Sequence, residues 1–250
     1  MTYTPSTQHT PVPAPRGVPD RHVNAVRQAT DVLYEVVEEL DRTSVRGPSL
    51  LPGWTRGHVV THLARNADAL VNLLTWARTG VEHQAYTSRA DRDADIEEGA
   101  RRILQVIKAD LDSACLRFDA ACREMPAHSW RSEVTMPKGA ALPASQVPLF
   151  RLREVWIHLI DLDCGIGFDD LPADFVEEFL DDAVEQFAGR VEPFGIEATL
   201  PDGGQRSWAV NGPASRSSVS GSATAVLGWL TGRTGGTGLR GELPDLPDWL

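Results

Sequence analysis

Arg153-Glu154-Val155-Trp156-Ile157-His158-Leu159-Ile160-Asp161-Leu162 is a run too apolar to leave its charged members idle in water. Read as a helix, it stacks positions i and i+4 on one face with β-carbons about 6 Å apart, so Glu154 and His158 can converge on one ion. A third ligand is available upstream. His62 lies in Thr55-Arg56-Gly57-His58-Val59-Val60-Thr61-His62-Leu63, the start of another amphipathic stretch. Two such helices packed side by side complete a His/Glu/His set. That is one ligand short of a closed tetrahedron, the arrangement in which a catalytic zinc keeps an open position for water or substrate.

Outward from this run, the N-terminal part of the chain reads as helical. Residues 1–19 carry five prolines among Thr, Ser and Gln and have too little apolar surface to offset their ordering entropy, so a flexible tail is expected there. From Asp20 a first helix places Val23, Val26, Leu33, Val36, Val37 and Leu40 at spacings of three, four and seven and ends before Pro48. A second starts at Thr55, a plausible N-cap, and stops near Gly80, with His62 in its first half. A third, long helix is expected from Arg89 to Glu124, with Ile96, Ile103, Ile107, Leu111 and Phe118 as its apolar stripe, ended by Pro126. The proline- and glycine-bearing stretch Trp130 to Pro148 reads as an irregular or hairpin-like connection to the helix of Glu154 and His158.

Four amphipathic helices with ligand-type side chains on two of them describe a helical bundle with a site between helices, over residues 20–165. After Gly165 the pattern changes. One more helix spans Pro172 to Gly189, strand-like runs occupy 196–200, 207–210 and 217–220, and residues 222–232 are helical again. Residues 166–250 therefore form a smaller α/β domain, and the class is α+β.

Several function classes are disfavoured by composition. The 250 residues carry a net charge of −11 with a pI near 5.1, so a phosphate backbone or an anionic membrane surface repels the molecule as a whole. No apolar run approaches the roughly 20 residues that span a bilayer, and the N-terminus lacks the basic-then-apolar pattern of a signal peptide. A cytoplasmic protein with neither nucleic-acid nor membrane partners is expected. Cys115, Cys122 and Cys164 are too few and too irregularly spaced for a disulfide framework, and buried free thiols are the favoured reading of the first two. No heptad stripe demands a second copy, so a monomer is expected.

The bland readings stand beside the metal site. Glu154 and His158 can simply pair with each other, and His58 and His62, themselves at i and i+4, compete for the upstream ligand position. Periodicity does not choose between them. Asp161 and Asp163 are placed to orient a ligand's second ring nitrogen, although solvated helix-end carboxylates are the simpler reading. Arg233, between an apolar helix and the Gly-rich turn Gly235-Gly236-Thr237-Gly238, suits a bidentate grip on a carboxylate, or else interacts with a helix dipole at the surface. There is no Gly-x-Ser-x-Gly elbow, P-loop or dinucleotide fingerprint.

Leu51-Pro52-Gly53-Trp54-Thr55-Arg56-Gly57-His58 with His62 and Asn66-Ala67, then Trp76-Ala77-Arg78-Thr79-Gly80, Pro143-Ala144-Ser145 and Arg153 to His158, resembles the mycothiol-dependent maleylpyruvate isomerases. Val219-Ser220-Gly221-Ser222, Gly232-Arg233, Gly241-Glu242-Leu243-Pro244 and Pro247-Asp248-Trp249-Leu250 are similar to that family's C-terminal domain. The resemblance implies a DinB-like four-helix bundle followed by an α/β domain, zinc held by His62, Glu154 and His158, mycothiol as cofactor, a substrate pocket at the domain junction, and Arg233 as an essential cation. It implies conversion of maleylpyruvate to fumarylpyruvate by reversible thiol addition, in gentisate-type aromatic catabolism. The longer tail and the loop Met136-Pro137-Lys138-Gly139 depart from the family. A mycothiol S-transferase acting on another electrophile, or a non-catalytic zinc-binding module, are the alternatives. Two histidines and a carboxylate also suit iron or other divalent ions.

Overall fold

Helix α1 (Asp20–Glu38) buries Val23, Val26, Leu33 and Val37 of the stripe its periodicity predicts, adds Ala29, leaves Val36 half-buried, and packs against α4 (Leu104–Glu124). These positions come from a computed structural model that describes residues 19–136, 141–212, 218–247 and 249. The proline-rich tail up to residue 18, and Pro137 to Gly139 of the departing loop, lie outside the described residues. Helix α2 (Arg56–Thr79) is the centre of the bundle, packed on α4 and on α3 (Arg89–Ala100). Val59, Val60, Leu63, Ala64, Ala67 and Leu73 on α2 are fully buried. A side chain such as Leu63 contributes about 2 kcal/mol by leaving water. Gly80 ends α2 in the left-handed region (φ 73°), a conformation only glycine adopts without steric cost.

The single long helix expected over residues 89–124 is two helices. α3 stops at Ala100, and α4 starts at Leu104 with Ile103 as its N-cap residue. The break leaves helix-end carbonyls that need donors. Arg46 supplies them, donating to the carbonyls of Ala100, Arg101 and Arg102. Gly99 lets α3 approach α2, since a β-carbon there would come within 2.5 Å of the Thr61 side chain. Ile103 is consequently 65% exposed rather than part of the core stripe, whereas Ile96, Ile107, Leu111 and Phe118 are buried as expected.

Strands β1 (Glu133–Thr135) and β2 (Ala141–Pro143) pair antiparallel as a short hairpin before α5 (Val147–Asp161). Pro148 sits in the first turn of α5, where its missing N–H costs nothing. The chain divides into two compact units, and the division falls between Val155 and Trp156, inside α5. The second unit comprises Ser49–Pro52 and the chain from Trp156 onward. It holds α6 (Ala173–Glu185), a three-stranded sheet and α7 (Ala223–Leu230). β3 (Phe194–Thr199) is central, antiparallel to β4 (Gln205–Val210) and parallel to β5 (Ser218–Ser222). α6 and α7 pack on each other and against the sheet, enclosing Phe179, Leu180, Phe194, Ile196, Val219, Val226 and Leu227. The class is α+β, with an N-terminal helical part and a C-terminal sheet part. No helix among the described residues is long and apolar enough to cross a membrane.

Candidate metal centre

Helix α5 is buried around nearly its whole circumference, so each polar side chain on it needs a partner inside the protein. Arg151, 1% exposed, donates from Nη1 to the Leu63 carbonyl (2.7 Å) and to Asn66 Oδ1 (2.8 Å), while Nη2 faces Cys115 Sγ at 3.4 Å. With its oxygen held, Asn66 turns its amide nitrogen to Glu154 Oε2 at 3.2 Å. His62 Nε2 meets the same oxygen at 3.1 Å. One turn further along α5 comes His158. One ligand atom each from His62, Glu154 and His158 lie within 4.8 Å of one another, the one such cluster of His, Cys, Asp or Glu among the described residues.

The donor set fits a divalent ion. Two imidazoles and one carboxylate are borderline-soft and hard donors suited to zinc, and the 3.1 Å between His62 Nε2 and Glu154 Oε2 is close to the edge of about 3.4 Å that tetrahedral coordination requires. The set is also shielded from water: the side chains of His62 and Glu154 are 5% and 14% exposed. The ring of Trp54 lies 5.7 Å from that of His62.

The two histidines are wired in opposite senses. His158 Nδ1 lies 2.8 Å from Asp161 Oδ2. Burial alone would raise the Asp161 carboxyl, but the hydrogen bonds from His158 and Arg233 outweigh it and hold the group below the usual carboxylate range. An ionised carboxylate only accepts, so the His158 proton sits on Nδ1 and Nε2 is left with its lone pair free to face a cation. Behind His62 stands a donor instead: Arg92 Nη2 is 3.1 Å from His62 Nδ1. That nitrogen must accept, and the His62 proton therefore sits on Nε2, facing Glu154. Arg92 also donates to Asp93 Oδ1 (2.7 Å) and lies 5.8 Å from the centre of the Tyr86 ring. The Tyr86 phenol is pushed up by burial and by the negative charge of Glu154, against the pull of Arg92.

His58, the rival ligand, closes the start of α2. Its Nδ1 accepts from the Thr55 backbone N–H (3.1 Å), and its Nε2 lies 3.0 Å from Glu97 Oε2. Arg233 is not a surface cation at a helix end. It follows Gly232 beyond α7, with Nε 3.0 Å from Asp161 Oδ1, Nη2 2.8 Å from Oδ2, and Nη1 donating to the Thr231 carbonyl at 2.7 Å. Its guanidinium also lies over the Trp249 ring, 5.6 Å from the centre. Asp161 is fully buried rather than solvated, whereas Asp163 is exposed. Cys115 and Cys122 are buried free thiols as expected, the latter pushed up to about 12 by burial, and Cys164 is exposed.

Of four further polar residues around the centre, the sequence reading quotes Asn66 without a role and does not name Arg151, Tyr86 or Arg92. Asn66 lies four residues after His62 and Arg151 three before Glu154, so helical spacing carries a signal for both. Tyr86 and Arg92, from the loop after α2 and from α3, have none.

A family model described as the mycothiol maleylpyruvate isomerase N-terminal domain matches residues 26–163, and one described as the MDMPI C-terminal domain matches residues 170–248. Two solved structures are similar to the chain. The crystal structure of a mycothiol-dependent maleylpyruvate isomerase superimposes with a TM-score of 0.84 at 29% identity, covering 92% of this chain and 97% of that one. A histidine-to-alanine mutant of such an isomerase gives 0.83 at 28% identity, with the same coverage of both chains. No curated protein sequence matches.

Proposed function

This chain belongs to the mycothiol maleylpyruvate isomerase family along both of its parts, and from that membership we propose that it is a mycothiol-dependent cis–trans isomerase converting maleylpyruvate to fumarylpyruvate in gentisate-type aromatic catabolism. The observation that carries the reading is the convergence of His62, Glu154 and His158, in a chain of this family, on a volume that suits one divalent ion. We assign these three as ligands of a zinc ion and Arg233 as the catalytic cation. When bound, the ion and mycothiol supply the chemistry, a thiol kept as its reactive thiolate whose reversible addition to the enone removes double-bond character and then restores it.

The protein's residues prepare that chemistry. Glu154 contributes the single negative charge among the ligands, so an ion of charge two keeps net positive charge at the centre. Asn66, pinned by Arg151, holds Glu154 Oε2 in place. Burial of the ligands excludes water and strengthens every electrostatic interaction among them. Arg233 uses three of its five N–H groups on Asp161 and Thr231, and the remaining ones suit a carboxylate of the substrate.

The test is turnover of maleylpyruvate, followed by absorbance, by metal-replete protein with and without mycothiol, with the geometry of the product identified. Thiol-dependent fumarylpyruvate is the expected result. A stable mycothiol conjugate accumulating instead would move the assignment to an S-transferase. Unaltered substrate with metal and mycothiol both bound would leave a non-catalytic module.

A further inference from the structure

Asp161 is a carboxylate with no exposed surface, at the last residue of α5, and such a group persists only where its charge is answered by donors. It has three: His158 Nδ1 and Arg233 Nη2 on Oδ2, and Arg233 Nε on Oδ1. The guanidinium fork grips both oxygens, so the carboxylate plane cannot turn about its last torsion. The backbone is fastened as well, because the Leu50 N–H donates to the Asp161 carbonyl at 2.9 Å. A carboxylate immobilised in this way, three residues from His158 on the same helix, dictates both the rotation of the imidazole and the nitrogen that bears its proton.

We propose that Asp161 is a positioning residue of the metal centre, clamped by Arg233 so that His158 presents an unprotonated Nε2 to the ion. This rests on the reading of His62, Glu154 and His158 as metal ligands. It also gives Arg233 a second task beside substrate binding, since its Nε and Nη2 fix Asp161 while its remaining N–H groups are the ones left for a substrate carboxylate. The requirement is for a group that only accepts. Asparagine has the same shape, but its amide nitrogen meets a donor in either orientation: Arg233 Nε–H at the Oδ1 position, or Arg233 Nη2–H and His158 at the Oδ2 position. In the second orientation the amide donates to His158 Nδ1 and drives the ring proton onto Nε2, the nitrogen that has to ligate.

Full-length parent, Asp161→Asn, Arg233→Met and His158→Ala proteins would be stripped of metal and titrated with zinc against a competing chelator, and in parallel with cobalt(II), whose visible spectrum reports ligand geometry. Circular dichroism checks that each is folded. Asp161→Asn is expected to weaken zinc binding about 10-fold to 100-fold and to alter the cobalt spectrum. Arg233→Met, which leaves Asp161 in place but unclamped, should show a smaller loss of the same kind; it also keeps the test decisive if Asp161→Asn does not fold. Parental affinity and an unchanged spectrum in both variants would overturn the positioning role while leaving the metal reading intact. A parent protein that binds no more zinc than His158→Ala would overturn the metal reading, and the role of Asp161 with it.

Discussion

The surroundings of His62 and His158 differ in one respect that decides their behaviour: a donor stands behind the first and an acceptor behind the second. Asp161 accepts a hydrogen bond from His158 Nδ1–H and so leaves its Nε2 unprotonated, while Arg92 forces the Nε2 proton of His62 toward Glu154. One half of the proposed ligand set presents an unprotonated nitrogen. The other is held in a hydrogen bond that metal binding would break, the ring proton passing from Nε2 to Nδ1 as Arg92 turns aside. His62, Glu154, Asn66 and Arg151 form one continuous chain of buried polar contacts. Polar groups this deeply buried need partners inside the protein.

Removing a ligand tests both halves at once and has the largest expected effect. His62→Ala and His158→Ala should each lose bound metal and turnover together, measured by metal analysis and by the isomerase assay. A metal-free yet active His158→Ala protein would break the comparison outright, because neither wiring would then matter. Next comes Arg151→Met, which strips donors from the Leu63 carbonyl and from Asn66 Oδ1. Two buried acceptors left unsatisfied should cost about 2 to 4 kcal/mol in urea unfolding, and metal affinity should fall as Asn66 loosens its hold on Glu154. Arg92→Met sharpens the comparison through its sign. Without a cation beside the centre, and with His62 at liberty to carry its proton on Nδ1, zinc affinity should rise about threefold to tenfold at low salt. A fall would mean that Arg92 supports the His62 ligand rather than opposing it.

The same contrast explains what was legible in the sequence. Glu154 and His158 announce themselves because one helix carries both, and Asn66, Arg151 and Asp161 lie at helical spacing from a ligand. In the sequence Asp161 reads as an orienting group or, more simply, as a solvated helix-end carboxylate, because nothing local shows that Arg233, 72 residues later, covers it. Arg92 and Tyr86 carry no local signal at all, since their position depends on where the chain turns after Gly80. The helical stripes were legible wherever burial follows periodicity. They misled between Ala100 and Leu104, because the apolar period runs on while the helix stops, its end carbonyls satisfied by Arg46 from a distant segment. The three strands of the second unit were foreseen to within a few residues from their Gly and Asn boundaries, but the central place of β3 is a matter of tertiary pairing that alternation does not encode.

The smallest expected effect asks whether an acceptor must be buried to matter. Asp41 resembles Asp161 in function but lies in water: its carboxylate accepts the backbone N–H groups of Thr43 (2.8 Å) and Ser44 (2.7 Å), closing the turn after α1. These bonds, with that from the Ser44 side chain, hold its carboxyl below the usual value even though it is fully exposed. A group whose folded value is depressed adds stability that is present above the unfolded value, near 3.9, and is lost as the pH falls through the folded value. Asp41→Ala should therefore melt slightly below the parent at pH 7, and the two curves should converge as the pH falls below about 4. Solvent screening keeps the difference small, since water replaces the lost acceptor at once. Behind His158 the carboxylate has no exposed surface, so the same kind of group sets a proton's position where Asp41 only trims a turn. A drop for Asp41→Ala as large as that for Arg151→Met would show that burial is not what separates them.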